Sequence, residues 1–282
     1  MNNLNNLFGV MQGRLLNKLN NRFQAHPLGY WMDEFPIASK MGFNCIEFIL
    51  DYYEYAKNPL MHESGLNEIK KVISENNVLV KSVCADFFME SPIFLEKKEL
   101  KKKNIDVFTQ LVTNCFKLGV KYIVIPFVDK SSIKNDKRKY SVSVEMLKLF
   151  CEQAKKYNIE ICLETDLEPR DFLRFIEQIG FNNLSINYDT GNSVSLGYDF
   201  KEEFSIYSEY VTNIHLKDRI LGGGSVYLGK GNMNFEAFFD LLKKMKYKNM
   251  FIMQAYREND GIASLKPQLN YIKSIIKTHF IN

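Results

Sequence analysis

The chain alternates between two textures. Short runs of apolar, β-branched or aromatic residues are followed by longer stretches whose apolar positions recur every three or four residues. The short runs read as strands: Leu7–Gln12, Cys45–Leu50, Leu79–Ala85, Tyr122–Phe127, Ile159–Glu164, Leu184–Tyr188, Val211–Leu216 and Met250–Gln254. Helical patterns lie between them, among them Asn104–Leu118, Val142–Tyr157, Pro169–Ile179, Phe235–Met245 and Leu265–Thr278. Tyr122-Ile-Val-Ile-Pro-Phe127 is apolar throughout, as a strand buried on both faces must be. Gly42, Gly119 and Gly180 each close a helical run ahead of a strand, where a left-handed cap is wanted, and Pro169 suits a first helical turn. Strands alternating with helices imply a parallel sheet with right-handed crossovers, and the count of eight favours closure over an open sheet. The expected fold is an α/β (β/α)8 TIM barrel.

A length of 282 residues is ordinary for such a barrel. No linker, composition shift or low-complexity segment divides the chain, so a single domain over residues 1–282 is expected. The 46% hydrophobic and 25% charged content is that of a folded soluble protein whose core needs no disulfide. The five cysteines, Cys45, Cys84, Cys115, Cys151 and Cys162, form no CxxC pair and read as buried free thiols. The start MNNLNNLFGVMQG lacks the basic-then-apolar order of a signal peptide, and no run reaches the ~18 apolar residues of a membrane span. A cytoplasmic protein without membrane contact is expected. A net charge of +4 gives no phosphate-tracking surface, and Lys97, Lys98 and Lys101 to Lys103 read as a solvated helix start rather than a nucleic-acid contact. A homo-oligomer stays open.

Chemistry in this fold gathers at the carboxyl ends of the strands. Four successive strands end in Leu163-Glu164-Thr165, Tyr188-Asp189-Thr190, Ile214-His215-Leu216 and Met253-Gln254-Ala255. Taken singly, each polar residue is better explained as a cap or a satisfied core group. Together they put two carboxylates, an imidazole and an amide oxygen at one level of the mouth, a set suited to one divalent ion such as Mn2+, Mg2+, Co2+ or Zn2+. Two loops are too long for simple connectors: Leu15–Pro27, and the glycine-rich Arg219–Gly231.

The same residues carry a family resemblance. Gly9-Val-Met-Gln-Gly-Arg-Leu15, Gly42-Phe-Asn-Cys-Ile-Glu47, Leu163-Glu-Thr165, Asn187-Tyr-Asp-Thr-Gly-Asn192, His215-Leu-Lys-Asp218 and Leu228-Gly-Lys-Gly231 together resemble the xylose-isomerase-like superfamily. That superfamily holds sugar and sugar-phosphate isomerases and epimerases, inosose dehydratase and the type-2 AP endonucleases. The resemblance implies metal ligands at Glu164, Asp189, His215 and Gln254. It also marks two departures: Gln254 stands where the family has a glutamate, and Asn192 where many members have a histidine. A glutamine oxygen can coordinate metal but cannot take a proton, which puts the family's two-glutamate epimerase scheme in question.

The expected function is a metal-dependent sugar or sugar-phosphate isomerase or epimerase working through an enediolate. Glu164 is the expected base, with Lys217 and Asp218 handling a proton on oxygen. Asp86, at the end of the third strand, is the alternative second donor. Arg14, Arg219, Lys230 and Arg257, with Gly222–Gly224 and Asn192, are candidate contacts for a carbohydrate partner that is phosphorylated or acidic. Tyr30, Trp31, Phe87 and Phe88 offer either an apolar wall for a sugar ring or plain packing. Competing readings are a dehydratase or lyase on a polyol or cyclitol, and a non-catalytic sugar-binding barrel. A trinuclear DNA-repair endonuclease is disfavoured, because only His215 of the four histidines (His26, His62, His215, His279) has a ligand context.

Overall fold

In the computed structural model, which describes residues 8–280, eight parallel strands close into a barrel. They are β1 (Phe8–Met11), β2 (Cys45–Ile49), β3 (Leu79–Cys84), β4 (Tyr122–Phe127), β5 (Glu160–Thr165), β6 (Leu184–Asp189), β7 (Val211–Leu216) and β8 (Met250–Met253). Around the barrel the order is β1-β8-β7-β6-β5-β4-β3-β2, so sequential strands are neighbours throughout. Leu7, expected to open the first strand, lies outside the described residues. The helices are α1 (Glu34–Met41), α2 (Glu63–Asn76), α3 (Phe87–Glu90), α4 (Lys98–Leu118), α5 (Lys137–Lys155), α6 (Pro169–Ile179), α7 (Thr190–Leu196), α8 (Phe200–Tyr207), α9 (Phe235–Lys244) and α10 (Gly261–Phe280).

Local chemistry explains the helix ends. Gly42, Gly119 and Gly180 take φ of 81°, 70° and 70°, closing α1, α4 and α6 in the left-handed region that L side chains avoid. Asp136, Asp199 and Asn234 cap α5, α8 and α9 by accepting backbone N–H groups of the first turn. The sequence pattern starts the last helix at Leu265, two residues before Pro267. The helix instead starts at Gly261 and runs through the proline, with Asp260 Oδ1 accepting the Ala263 N–H at 3.0 Å.

Contacts divide the chain into residues 47–187 and the remainder. Within residues 47–187, Phe88 packs on Phe108 and Phe150, whose rings stack with centroids 3.9 Å apart, and Phe127 meets Phe175 edge to face. Here the register pairs Cys162 with both Val124 and Ser185, so Cys162 and Glu164 share a face with Ser185 and Asn187. In the remainder, Phe204, Phe200 and Phe239 surround Phe238, which also stacks on Tyr188. There Ile252 pairs with His215 and with Gly9, so Gln254 continues the His215 face one step beyond β8. Gly9 has to be glycine at this crossing: a Cβ would lie 2.6 Å from Ile252 Cδ1 and 2.9 Å from the Cys45 carbonyl oxygen.

The long loop after β7 is ordered in part by strand pairing. Asp218–Arg219 and Ser225–Val226 form a two-stranded antiparallel hairpin, which the glycine-rich sequence did not announce.

Candidate metal centre

The ends of β5, β6 and β7 bring Glu164, Asp189 and His215 together. One ligand atom from each lies within 4.8 Å of the others, and the residues are only 6%, 4% and 0% exposed. Each is held by its own surroundings. Asn187, two residues before Asp189 and therefore on the same strand face, donates its Nδ2–H to Glu164 Oε2 at 2.7 Å. Asp189 Oδ1 accepts the Asn192 N–H at 2.8 Å, which turns Oδ2 toward Lys217 Nζ at 3.5 Å. The Thr190 hydroxyl ties the next strand in place through the carbonyls of His215 and Lys217.

Gln254 is buried at the adjacent strand end. Its Nε2 donates to Gln24 Oε1 at 3.0 Å, which fixes the amide, and its buried Oε1 has no hydrogen-bond partner among the described residues. A buried acceptor without a donor costs about 1–3 kcal/mol. Two close carboxylates out of water are likewise unfavourable without a cation. A divalent ion held by Glu164, Asp189 and His215, with Gln254 Oε1 as a fourth ligand, would satisfy both, so the donor set fits the group it implies.

The other candidate residues separate into two groups. Lys217, Arg219 and Asn192 converge. Arg219 Nη1 donates to Asn192 Oδ1 at 3.0 Å, and its Nε and Nη2 donate to the Gly223 carbonyl at 3.0 and 2.8 Å. Lys230 sits on the exposed side of the same loop. Asp218 lies between Lys217 and Arg219. It is 0% exposed, and its carboxylate accepts the backbone N–H groups of Arg219, Gly229, Gly231 and Met233 at 2.8 to 3.1 Å. Burial pushes its carboxyl above the ordinary range, against the pull of those four amides.

Arg14 and Arg257 bind the loop after β1 and the segment after β8. Arg14, 1% exposed, donates to the carbonyls of Ala255 and Phe23 and to Gln24 Oε1. Arg257 donates to the carbonyls of Gly13, Leu16, Glu258 and Asn259, and burial lowers its pKa. Beneath them the buried Glu34 accepts the N–H groups of Gly13 and Leu15 at 2.9 and 3.2 Å. Burial pushes its carboxyl up to about 7, opposed by the two amides and both arginines. His26, its Nδ1 2.9 Å from Gln12 Oε1, is driven down to about 3 by burial and is neutral.

Asp86 Oδ1 accepts the Cys84 thiol at 3.2 Å, and burial, with Asp86, Glu47 and Glu164 around it, holds that thiol protonated. Trp31, Phe87 and Phe88 are buried in packing contacts, Trp31 on Phe35 and the two phenylalanines edge to face on each other.

The family model described as xylose isomerase-like TIM barrel matches residues 35–275. The chain belongs to that family. L-ribulose-5-phosphate 3-epimerase UlaE of Escherichia coli strain K12 is 20% identical over 266 residues, covering 89% of this chain and 92% of that one. A xylose isomerase domain protein from Planctomyces limnophilus superposes with a TM-score of 0.76 at 17% identity, over 97% of this chain and 98% of that one. The IolI protein, in a structure with a bound zinc atom, gives a TM-score of 0.75 at 15% identity over 98% and 99% of the two chains.

Within this xylose isomerase-like barrel, three polar residues at the mouth escape a reading of strand ends alone. Asn187 was detectable, because a strand residue two before Asp189 must face the same way. Gln24 and Glu34 lie in a loop and on a helix. No local pattern marks that one holds the Gln254 amide and the other the Gly13–Leu15 backbone.

Proposed function

We propose that this chain is a divalent-metal-dependent isomerase-class enzyme acting on a sugar, as an epimerase or aldose–ketose isomerase working through an enediolate. The buried Glu164–Asp189–His215 cluster, next to the unpartnered oxygen of Gln254, carries this reading. The family and the epimerase named among its relatives support the substrate class. When bound, the ion supplies Lewis-acid stabilisation of the negative charge that develops on substrate oxygens.

The chain's own residues do the rest. Glu164 takes the carbon-bound proton, with Asn187 holding its Oε2 so that the carboxylate has one orientation. Lys217, its ammonium beside Asp189, serves a proton on oxygen. Gln254 carries no proton to exchange, so inversion by two glutamates is unavailable and a second donor comes from elsewhere, Asp86 being the alternative carboxylate. The same neutral Gln254 favours a second reading, a metal-dependent dehydratase, because elimination starts with the same single proton abstraction.

The test is proton–deuterium exchange followed by NMR in D2O, with Mn2+-loaded protein and a panel of ketoses, aldoses and inososes. Solvent deuterium entering next to a carbonyl, with a new sugar formed, is the expected result. Loss of water supports the dehydratase. No exchange with any compound by protein that holds the metal overturns an enediolate enzyme.

A further inference from the structure

Lys217 is placed with more constraint than a proton carrier at a strand end needs. Its backbone is clamped by Thr190, whose hydroxyl accepts the Lys217 N–H at 2.9 Å and donates to the Lys217 carbonyl at 2.6 Å. Its aliphatic stem lies across Gly191. A Cβ on that glycine would come within 2.7 Å of Lys217 Cγ, 3.0 Å of Cβ and 3.1 Å of Cδ. Only a residue without a side chain lets the stem pass. The ammonium is thereby delivered to a nearly closed place, with the side chain 14% exposed.

Among the described residues its nearest partners are loosely held. Its two side-chain contacts, Asp189 Oδ2 and Asn192 Oδ1, are both at 3.5 Å, the outer limit of a hydrogen bond. Arg219 Nη1 reaches the same Asn192 oxygen at 3.0 Å. Two cations therefore converge on one neutral oxygen, and no carboxylate forms an ion pair with Arg219 among the described residues. The charge count sharpens the point. The carboxylates of Glu164 and Asp189 balance a divalent ion, while Gln254 contributes no charge. Lys217 and Arg219 then stand beside the site with Asp189 the one carboxylate in hydrogen-bond contact with either ammonium or guanidinium among the described residues. A desolvated cation in that position is costly unless an anion arrives with the ligand.

We infer that Lys217, Arg219 and Asn192 form an anion subsite beside the donor cluster, so that the substrate is an anionic sugar, a phosphate ester or a sugar acid. This rests on the functional reading above and deepens it. Arg219 and Lys217 supply N–H donors from two directions, and Asn192 holds the guanidinium in place. Arg14 and Arg257, whose guanidinium groups donate to Phe23, Gln24, Ala255, Gly13 and Leu16, stay outside the subsite.

The test begins with binding. Inorganic phosphate is titrated calorimetrically into metal-free and Mg2+-loaded protein, for wild type, Lys217→Met and Arg219→Met. Each substitution is expected to weaken phosphate about ten- to a hundredfold, the loss of a charge-assisted hydrogen bond, while Mg2+ affinity does not fall. Unchanged phosphate affinity in both variants overturns the subsite. Deuterium exchange then compares ketopentose 5-phosphates, aldonic and uronic acids, and the neutral sugars. Exchange favouring a phosphate ester or an acid supports the inference and says which anion is bound. Exchange as efficient with a neutral sugar overturns it while leaving the isomerase reading intact. Exchange with no compound overturns the isomerase reading, and the phosphate titration still decides the subsite.

Discussion

Asp218 lies in the mouth loop, three residues after a candidate metal ligand, yet its geometry is that of an organiser. Its Oδ1 accepts the N–H of Arg219 and Met233, and its Oδ2 those of Gly229 and Gly231. Gly231 packs so closely that a Cβ would lie 2.2 Å from Oδ1. Asp218→Asn keeps size and shape but replaces one oxygen by an NH2 group. Whichever way the amide turns, two of the four buried donors then face another donor. Losing two such bonds costs about 2–6 kcal/mol, concentrated in the loop that carries Arg219 and Lys230. Amide hydrogen exchange of Gly229, Gly231 and Met233 reads that cost directly, and should accelerate at least about thirtyfold, while the strand amides of β3 to β5 stay protected. In a working enzyme the variant should raise KM more than it lowers kcat. If the loop amides stay protected but solvent deuterium incorporation is abolished, Asp218 is handling a proton and the organiser role is wrong.

Further outcomes follow from the same geometry. His215→Ala should weaken Mn2+ binding by at least about a hundredfold in a calorimetric titration, more than the 10–100-fold typical of outer partners, whereas Glu164→Gln should abolish deuterium exchange with a smaller loss of metal. Gln254→Glu adds a negative charge to the donor set and should tighten Mn2+ about tenfold or more; no change would remove Gln254 from the ligands. Gly191→Ala drives a methyl group into the Lys217 stem and should weaken phosphate binding without loss of Mn2+, with native phosphate affinity as the refuting result. For pH, Glu34 has its folded pKa raised to about 7 from 4.5, so its contribution is fully present below 4.5 and is lost as pH rises through 7. That contribution, about 3 kcal/mol, should vanish in Glu34→Gln, whose urea midpoint should fall less between pH 5 and pH 8 than that of the wild type.

How much of this was readable in the chain follows from the range of the forces. The strands and most helices are set by periodicity and by caps such as Gly42, Gly119 and Gly180, which act over a few residues. The eightfold alternation then leaves few topologies, so the barrel was legible. The rule that strand ends face the mouth made Glu164, Asp189, His215 and Gln254 legible too, because a strand residue's direction is fixed by its backbone. Long, flexible or loop-borne polar side chains carry no such rule. Arg14 and Arg257 look in sequence like anion contacts, and the folded path of residues 13–24, together with Ala255, Glu258 and Asn259, offers them carbonyls at hydrogen-bond range. Asp218 reads as a free carboxylate until the loop returns three distant amides to it, from residues 229, 231 and 233. Gly191 reads as a turn glycine until Lys217 crosses it, and that crossing is a contact between two strand ends that are 26 residues apart in the chain. The sequence by itself thus determined which residues stand at the mouth. Tertiary structure decided which of them keep an unsatisfied atom for a ligand, since that depends on partners brought in from elsewhere in the chain.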